Sequence, residues 1–287
     1  MRSAPVLLGR GAVLGGKYRL IRPLGRGGMS VVWEVEHLIT EQRRAVKVVS
    51  EDAQDELEAG VRLVREARLL ARLQSRHVVR VLDVDHHGES AYVVMELLEG
   101  TDLARELDVR GRFTVAQAVD DVLQICGALA EAHDRGIVHR DIKPANMFRA
   151  INSGRPVVKL LDFGVGRDVR DRGPRLTLPT LTVGTTAYSA PEQRTSERAD
   201  ARSDVFSLGL ALLELVTGDI FIDSPAAAVL PSALLAIIQK MIAWCVADRP
   251  QSILEAADAL VTFAPRGSLG RVAAGVAASR FGSRHGG

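Results

Sequence analysis

The sequence is poor in cysteine, in aromatic residues and in long apolar runs. Its two cysteines, Cys126 and Cys245, lie far apart and match neither a zinc-site spacing nor a redox pair, so we expect two buried thiols in a reducing compartment. No stretch reaches the roughly 18 uninterrupted apolar residues that a spanning helix needs. Residues 1–16 are too short and too interrupted by glycine to resemble a signal peptide. These absences predict a cytoplasmic protein without a transmembrane segment.

The chain also lacks an excess of charge of either sign. Lys and Arg total 37 and Asp and Glu total 35, a formal net charge of +2 over 287 residues. Such a balance offers no whole-chain attraction for nucleic acid, and we expect no nucleic-acid partner. The 47% hydrophobic and 25% charged composition is typical of globular proteins and excludes disordered, collagen-like and disulfide-scaffold classes.

Lysine is scarce, with five residues against 32 arginines. Arginine is a wide planar fork and lysine a compact point charge, so a tight phosphate site distinguishes them. Each retained lysine is therefore a candidate for such a site.

The pattern of apolar residues predicts a β-rich first third and a helical remainder. Strand-like runs alternate with turns from residue 17, a helix is predicted over 55–73, and two further strands precede Gly100. A long amphipathic helix follows, with Thr114 as its N-cap and Gly136 as its stop. Later helices include one that ends at Gly218.

Several short strings carry residue types suited to phosphate chemistry. GRGGMSVV at 25–32 lies between two strands, where glycines let backbone N–H groups approach phosphates, although a glycine-rich hairpin alone is commonly only a turn. Lys47 follows on the next strand in AVK. Glu66 lies at the edge of a buried helical stripe and needs a partner, for which Lys47 is the main candidate and Arg62 the alternative.

A second group of strings concentrates carboxylates, a lysine and an amide. HRDIKPAN at 139–146 offers Asp141 to accept or orient a hydroxyl proton and Lys143 to stabilise a moving phosphoryl group. DFG at 162–164 follows a strand. Asn146 and Asp162 supply the hard oxygen ligands that Mg²⁺ prefers.

Together and in this order, the strings resemble those of the eukaryotic-type (Hanks-type) serine/threonine protein kinases, especially the bacterial ones. The resemblance covers residues 17–264 and implies an α+β, protein kinase-like bilobal fold. It implies an N-lobe at 17–98 with a small antiparallel sheet and one helix, and a larger, mainly helical C-lobe at 99–264. Residues 1–16 would be an N-terminal extension. Residues 265–287, with four Arg and no acid, would be a flexible basic tail.

The resemblance implies transfer of the γ-phosphoryl group of ATP to Ser or Thr hydroxyls of proteins, with Mg²⁺, or Mn²⁺, as the metal. Asp141 would be the catalytic base, Lys143 would contact the γ-phosphate, and Lys47 would hold the α- and β-phosphates while paired with Glu66. Asn146 and Asp162 would bind the metal. Thr185 would hydrogen-bond the catalytic Asp and Lys.

The residues that the resemblance places around ATP come from both lobes. They are Leu24, Gly25, Gly27, Gly28, Ser30, Val32, Ala45, Lys47, Met95, Glu96, Leu98 and Phe148. Ser30 replaces the third glycine of the family pattern.

Further residues would support the site. Glu192 of the APE string would pair with Arg249, and Asp204 would brace the backbone of the catalytic loop. A stacked spine of the active state would consist of Leu70, Leu82, His139 and Phe163.

Regulation is expected at the activation loop. Arg140 precedes the catalytic Asp, and in the family such an arginine often pairs with a phosphate on that loop. We predict autophosphorylation at Thr180 or Thr182, with a second kinase molecule as the partner in trans. The alternative is that these threonines are unmodified loop residues.

The chain departs from the family pattern between Gly218 and Asp248, where it is short, so a helix that commonly docks substrates is expected to be reduced.

Two other functions stay open. A pseudokinase scaffold would normally lack Lys47, Asp141 or Asp162, and all three are present. A small-molecule kinase would usually lack the APE string and its Arg partner.

Overall fold

The computed structural model describes residues 9–27, 30–49, 56–88, 90–152, 154–163, 187–194 and 199–282. The chain divides into two compact units, one of residues 1–74 with 79–99 and the other of residues 75–78 with 100–287. Residues 75–78, predicted to belong to the N-lobe, group with the second unit because their backbone and side chains bond to it. Within the described ranges, we find no helix that is both long and apolar enough to cross a membrane.

The first unit contains a six-stranded sheet and one helix. Its elements are β1 (Val13–Leu14), β2 (Tyr18–Arg26), β3 (Ser30–His37), β4 (Arg43–Val49), α1 (Glu56–Leu70), β5 (Val81–His87) and β6 (Ser90–Met95). The strand order is β1-β2-β3-β4-β6-β5, with every neighbouring pair antiparallel. The predicted antiparallel sheet with one helix is confirmed. Strand β1 lies within the predicted extension and adds an edge strand.

The sheet separates two faces through the alternation of side chains along its strands. On β4, Val46 and Val48 belong to a buried hydrophobic cluster with Val31 and Trp33 of β3. Lys47, between them in sequence, points to the other face. Helix α1 is shorter than the predicted 55–73, since the N–H groups after Ala71 bond three residues back, a tighter geometry than the α-helix.

The second unit is mainly helical, as predicted, with a small sheet. Its elements are β7 (Gly100–Asp102), α2 (Leu103–Arg110), α3 (Val115–Asp134), β8 (Met147–Asn152), β9 (Arg155–Leu160), α4 (Pro191–Arg194), α5 (Ala201–Thr217), α6 (Ser232–Met241), α7 (Ile253–Leu260) and α8 (Leu269–Phe281). The sheet order is β7-β8-β9, so β9 is an edge strand.

Local signals positioned the two longest helices of this unit correctly. Thr114 and Gln117 form a reciprocal capping box at the start of α3, which satisfies donors that the first turn leaves unpaired. Gly218 ends α5 in the left-handed conformation, with φ of 82°.

The short region between Gly218 and Asp248 contains only a three-residue 3₁₀ turn, Ala227–Val229, ahead of α6. Phe221, Val229 and Trp244 are exposed there. The expected docking helix is thus reduced to a single turn.

The prediction of a flexible tail from residue 265 is wrong for residues 269–281, which form α8. Ser268 caps the helix, and buried small residues on one side let it pack closely on α3. A Cβ on Gly127 of α3 would lie 3.2 Å from the Cβ of Ala273. Composition suggested flexibility because small residues have little apolar surface, whereas here their small size permits close packing. Cys245, expected to be buried, is exposed, and Cys126 is buried.

We expect the stability of the fold to decrease in acid because of one buried histidine, His77, which follows α1. His77 is buried, its Nδ1 lies 2.9 Å from the carbonyl oxygen of Val158, and burial lowers its pKa to about 4. Unfolding frees this ring to bind a proton near pH 6.5, so the unfolded state binds more protons between pH 6.5 and 4. We expect His77 to lower the free energy of unfolding by about 3 kcal/mol over that range.

Urea unfolding of the wild-type protein and of His77→Gln, at several pH values between 7 and 4, measures this effect. The introduced glutamine side chain retains a donor for the Val158 carbonyl but does not titrate, so the stability of the variant should decline less steeply with acid. Equal pH slopes for the two proteins would contradict the assignment.

Candidate functional site

In the first unit, a buried ion pair joins β4 to α1. Lys47 is 9% exposed, and its Nζ lies 3.2 Å from both Oε1 and Oε2 of Glu66. Lysines are rarely buried to this extent without a partner. Arg62, the alternative partner named from sequence, contacts Glu58 one turn earlier. The pair expected from sequence is therefore present, and it fixes the ammonium group on the sheet face that α1 covers.

Strand register aligns the other expected ATP-contact residues of this unit with Lys47. Gly25, Val32 and Lys47 are consecutive partners across β2, β3 and β4. Ala45 pairs with Met95 of β6. Directly paired residues of antiparallel strands share a face, so Val32, Ala45, Lys47 and Met95 lie on the face opposite the hydrophobic cluster.

The glycine-rich turn joins β2 to β3. A β-bulge interrupts the register between Pro23 and Gly25, and the Gly27 N–H donates to the Ser30 carbonyl at 2.8 Å. Leu24 is half-buried on β2. Gly28 lies outside the described residues.

The remaining expected ATP contacts follow β6 or lie on β8. Glu96 accepts a hydrogen bond from the Arg80 N–H through Oε1 at 2.8 Å, and its own N–H donates to the Arg80 carbonyl at 3.0 Å. Leu98, two residues after Glu96, is half-buried, as is Phe148 on β8 of the second unit.

The assignment of Leu82 to a stacked spine is wrong. Leu82 is 39% exposed and lines a surface cavity with Tyr18 and Asp83. The register instead places Val81 opposite Met95, on the face that carries Lys47. The register shifts by one residue between Val81 and Asp83, so Leu82 lies at a β-bulge and not in the regular alternation that the sequence suggested.

In the second unit, residues 139–146 hold a carboxylate between a lysine and an amide. Asp141 Oδ2 accepts from Lys143 Nζ at 2.9 Å and from Asn146 Nδ2 at 3.0 Å. Asn146 Nδ2 also donates to the Asp141 carbonyl at 2.7 Å. These bonds orient the Asp141 carboxylate before any substrate arrives.

The backbone of this loop is fixed by the buried carboxylate of Asp204 on α5. Oδ2 accepts from the His139 N–H at 2.9 Å and contacts His133 Nε2 at 2.7 Å, while Oδ1 accepts from the Arg140 N–H at 2.9 Å. Burial alone would raise the pKa of Asp204, but His133 and the backbone donors outweigh it, so the pKa is lowered. The carboxylate expected from sequence to brace this loop does so. His133 was not found by sequence reasoning, since nothing in its local pattern indicates a partner 71 residues away.

The ring of His139 connects the loop to the segment after β9. Its Nδ1 accepts from the Asp141 N–H at 3.2 Å, and its Nε2 donates to the Leu161 carbonyl at 3.0 Å. Burial lowers the pKa of His139, which favours this neutral ring with its proton on Nε2. The ring also packs on Phe163, with centroids 4.5 Å apart.

The two candidate metal ligands are brought together by the β8–β9 hairpin. Met147 pairs with Leu160, and one step beyond, the Leu161 N–H donates to the Asn146 carbonyl at 2.9 Å. Asp162 follows with φ of 46°, an unusual conformation for a residue other than glycine. The preceding residue, Leu161, is hydrogen-bonded at both its N–H and its carbonyl, which fixes the backbone that enters Asp162.

The donor set fits a hard divalent cation. Both amide protons of Asn146 are directed at Asp141. The Oδ1 of Asn146 is therefore the side-chain atom that a metal could bind. An amide oxygen and a carboxylate form an incomplete shell, typical of Mg²⁺ sites that also use water and phosphate oxygens.

The pair expected between Glu192 and Arg249 is present and buried. Arg249 Nη1 and Nη2 donate to the two carboxylate oxygens at 2.8 and 3.0 Å, and Ser203 Oγ donates to Oε1 at 2.6 Å. Burial opposes ionisation of Glu192, but the bonds from Arg249 and Ser203 prevail and lower its pKa. Arg249 also donates to the Ala243 carbonyl, so the pair ties α4 to the segment after α6.

Three predicted residues, Thr180, Thr182 and Thr185, lie outside the described residues. The structure therefore adds nothing on the phosphorylation sites or on the threonine expected to contact the catalytic Asp and Lys.

Comparisons with known proteins agree with these features. A family model of the protein kinase domain matches residues 18–260. The chain is 34% identical over 270 residues to the serine/threonine-protein kinase pkn2 of Myxococcus xanthus, covering 86% of this chain and 32% of that protein. It is 37% identical over 211 residues to the serine/threonine-protein kinase PknB of Mycobacterium tuberculosis, covering 72% and 33%. The chain thus spans about a third of the length of these curated relatives.

Among solved structures, the kinase domain of PknI from Mycobacterium tuberculosis superposes with a TM-score of 0.69 at 29% identity. The match covers 89% of this chain and 99% of that chain. It therefore includes both units.

Because the Glu192–Arg249 ion pair is buried, we expect a large loss of stability when one partner is removed. Arg249→Met leaves the Glu192 carboxylate buried without its cation, and we expect the free energy of unfolding to fall by about 3–5 kcal/mol. The matched control is Lys240→Met, which breaks an exposed pair with Glu255 and should cost less than about 1 kcal/mol. Chemical denaturation of both variants measures the difference. A similar loss for the two substitutions would show that Arg249 does not compensate a buried charge.

Proposed function

Because the chain belongs to the protein kinase family, we propose that it transfers the γ-phosphoryl group of ATP to serine and threonine hydroxyls of proteins. The observation that carries this proposal is the hydrogen-bonded Asp141 carboxylate, held by Lys143 and Asn146 on a loop that Asp204 braces. Phosphoryl transfer needs little covalent chemistry from the protein, so correctly positioned charges account for most of the rate enhancement.

Residues of the first unit would bind the nucleotide. The Lys47 ammonium, oriented by Glu66, supplies positive charge for the α- and β-phosphates. Gly25, Gly27, Gly28 and Ser30 would cover the phosphates through their backbone. The apolar face of Val32, Ala45 and Met95 suits a purine ring, with backbone groups of Glu96 and Leu98 bonding its edge and Leu24 and Phe148 contributing further contacts.

Residues of the second unit would perform the transfer. Asp141 orients the attacking hydroxyl and accepts its proton as the bond to phosphorus forms. Lys143, already bonded to Asp141, neutralises charge on the transferred group, and Thr185 would bond both. A lysine at position 143 is the reason for assigning Ser and Thr, rather than Tyr, as acceptors.

Asn146 and Asp162 would hold the divalent metal, which we propose to be Mg²⁺ with Mn²⁺ as a substitute. When bound, the metal neutralises phosphate charge and fixes the geometry of the leaving group. The Asn146 side chain would then have two roles, because its Nδ2 orients Asp141 while its Oδ1 would be the atom that binds the metal.

The buried Glu192–Arg249 pair favours protein over small-molecule substrates. It fixes the end of the segment that follows the DFG string, a region that small-molecule kinases of related fold usually organise without such a pair. The chain between Gly218 and α6 forms only a 3₁₀ turn at Ala227–Val229, so we propose that protein substrates dock on other surfaces.

Three variants test the mechanism. Asp141→Asn removes the proton acceptor while keeping its shape, and we expect kcat to fall by about 10²–10⁴-fold. Lys47→Met removes the phosphate-binding charge, and we expect kcat/KM for ATP to fall by about 10²-fold or more. Lys17→Met is the control, since Lys17 pairs with Asp85 at the exposed end of the same sheet.

Transfer of labelled phosphate from ATP to a generic Ser/Thr protein substrate, with and without Mg²⁺, measures these rates. The control should retain wild-type activity. Turnover that persists in both Asp141→Asn and Lys47→Met, or an inactive wild-type protein that still binds Mg-ATP, would reject the proposed reaction.

We also propose that Thr180 or Thr182 is phosphorylated by a second copy of the enzyme. A phosphate there adds a charge of about −1.5 to −2, which Arg140 is suited to neutralise. Mass spectrometry of protein incubated with ATP should find phosphate on one of these threonines, and Asp141→Asn should acquire it only when mixed with wild-type enzyme. An unmodified segment between Asp162 and Glu192 in fully active protein would contradict this.

A further inference from the structure

The edge strand β9 is held on its open side by two side chains and one backbone carbonyl from elsewhere in the second unit. The Val158 N–H donates to Gln124 Oε1 at 2.9 Å, and the Val158 carbonyl accepts from His77 Nδ1 at the same distance. The Leu160 N–H donates to the His77 carbonyl at 2.8 Å. Edge strands normally leave such groups to water, so here the position of β9 depends on these partners.

Gln124 belongs to a continuous line of hydrogen bonds that begins at α8. The Gly270 N–H donates to Asp120 Oδ1 at 2.8 Å, and Gln124 Nε2 donates to Asp120 Oδ2 at 3.3 Å. Gln124 is 2% exposed. We call the line Gly270–Asp120–Gln124–Val158 the amide relay.

The polarity of the amide relay explains its residue types. Both ends are backbone N–H groups, which only donate. The side chain at position 120 must accept two hydrogen bonds, one from the Gly270 N–H and one from residue 124. The side chain at position 124 must donate to residue 120 and accept from the Val158 N–H. A carboxylate at 120 and an amide at 124 satisfy this requirement, and two carboxylates or two amides do not.

The relay leads to the candidate metal site. Val158 lies four residues before Asp162, and Leu161 is bonded to the Asn146 carbonyl and to the His139 ring. A shift of β9 along or away from α3 would displace Asp162 relative to Asn146. Helix α8 lies beyond residues 18–260, which the kinase family model matches.

We propose that α8 acts through the amide relay as a positioning element for the metal ligand Asp162. The role of Asp162 as a ligand rests on the proposed function, whereas the connection from α8 to β9 does not. Residues 120, 124 and 270 are thus positioning residues, and α8 is part of the catalytic unit rather than an appendage to it.

Glycine at 270 is required by the close approach of the two helices. A Cβ added there would overlap both the backbone oxygen and Oδ1 of Asp120. Gly275 lies on the same helix with nothing within 4 Å of an added Cβ. Both Gly270→Ala and Gly275→Ala replace a helical glycine by a better helix former, and only the first strains the relay.

A polarity exchange tests the relay with little change in shape. In Asp120→Asn a donor faces the donor of Gln124, and in Gln124→Glu an acceptor faces the acceptor of Asp120. In the double variant, the new amide at position 120 donates to the new carboxylate at position 124 and still accepts from the Gly270 N–H. That carboxylate still accepts from the Val158 N–H. The double variant also preserves the net charge of the full chain.

Two measurements on the full chain report the effect. Hydrogen–deuterium exchange of peptides covering 155–163 follows β9 without requiring activity, and calorimetric titration of Mg²⁺ into protein with a non-hydrolysable ATP analogue follows the metal site. We expect each single variant and Gly270→Ala to speed exchange in β9 and to weaken Mg²⁺ binding by about tenfold, the equivalent of one hydrogen bond. Gly275→Ala should stay within about twofold of wild type, and the double variant should recover most of the loss of the single variants, short of the cost of moving the carboxylate to the more buried position 124.

The outcomes separate the relay from the proposed reaction. If the single variants lower only the melting temperature, with β9 exchange and Mg²⁺ binding as in wild type, the relay is merely structural and the proposal is overturned. Failure of the double variant to restore either measurement overturns it as well. If wild-type protein binds no Mg²⁺-nucleotide at all, the proposed function fails, while the exchange data still decide whether α8 controls β9.

Discussion

The second unit of this protein depends on one buried carboxylate. Asp204, fully buried on α5, accepts hydrogen bonds from two consecutive backbone N–H groups of the loop at 139–146 and contacts His133 of α3. A buried charge is costly unless its lone pairs are satisfied. Because only this backbone conformation satisfies them, the carboxylate selects the loop geometry, and with it the orientation of Asp141.

That selection has to oppose local strain. Arg140 and Asp162 have φ of 68° and 46°, in the left-handed region that costs residues other than glycine about 1–3 kcal/mol each. Arg140 is held by Asp204 at its N–H and by Gln193 at its carbonyl. Asp162 follows Leu161, whose N–H and carbonyl are both bonded. A third residue of this kind, Glu41 with φ of 56°, lies in a turn of the first unit. In the second unit the two strained residues are the one before Asp141 and the proposed metal ligand, and hydrogen bonds fix the backbone next to each of them.

Sequence reasoning succeeded where the signal was local or was carried by family strings. The cap at Thr114, the stop at Gly218 and the antiparallel sheet follow from short-range patterns. The pairs Lys47–Glu66 and Glu192–Arg249 were expected because a buried charge needs a partner and because the family strings identify one. The errors arose where a choice depended on packing: Leu82 against Val81 on one strand, Cys245 at the surface, and the small-residue helix α8.

The order of residue types along the chain determined by itself which groups are available for the proposed phosphoryl transfer, since lysine, carboxylate and amide chemistry is intrinsic to each side chain. Tertiary structure alone decided which of those groups are held in place. The long-range partners of His133, Gln193 and Gln124 lie 71, 53 and 34 residues away, and a hydrogen bond between distant residues leaves no periodicity in the sequence. The same reason explains α8: its glycines and alanines indicate flexibility until α3 supplies a surface close enough to need small residues.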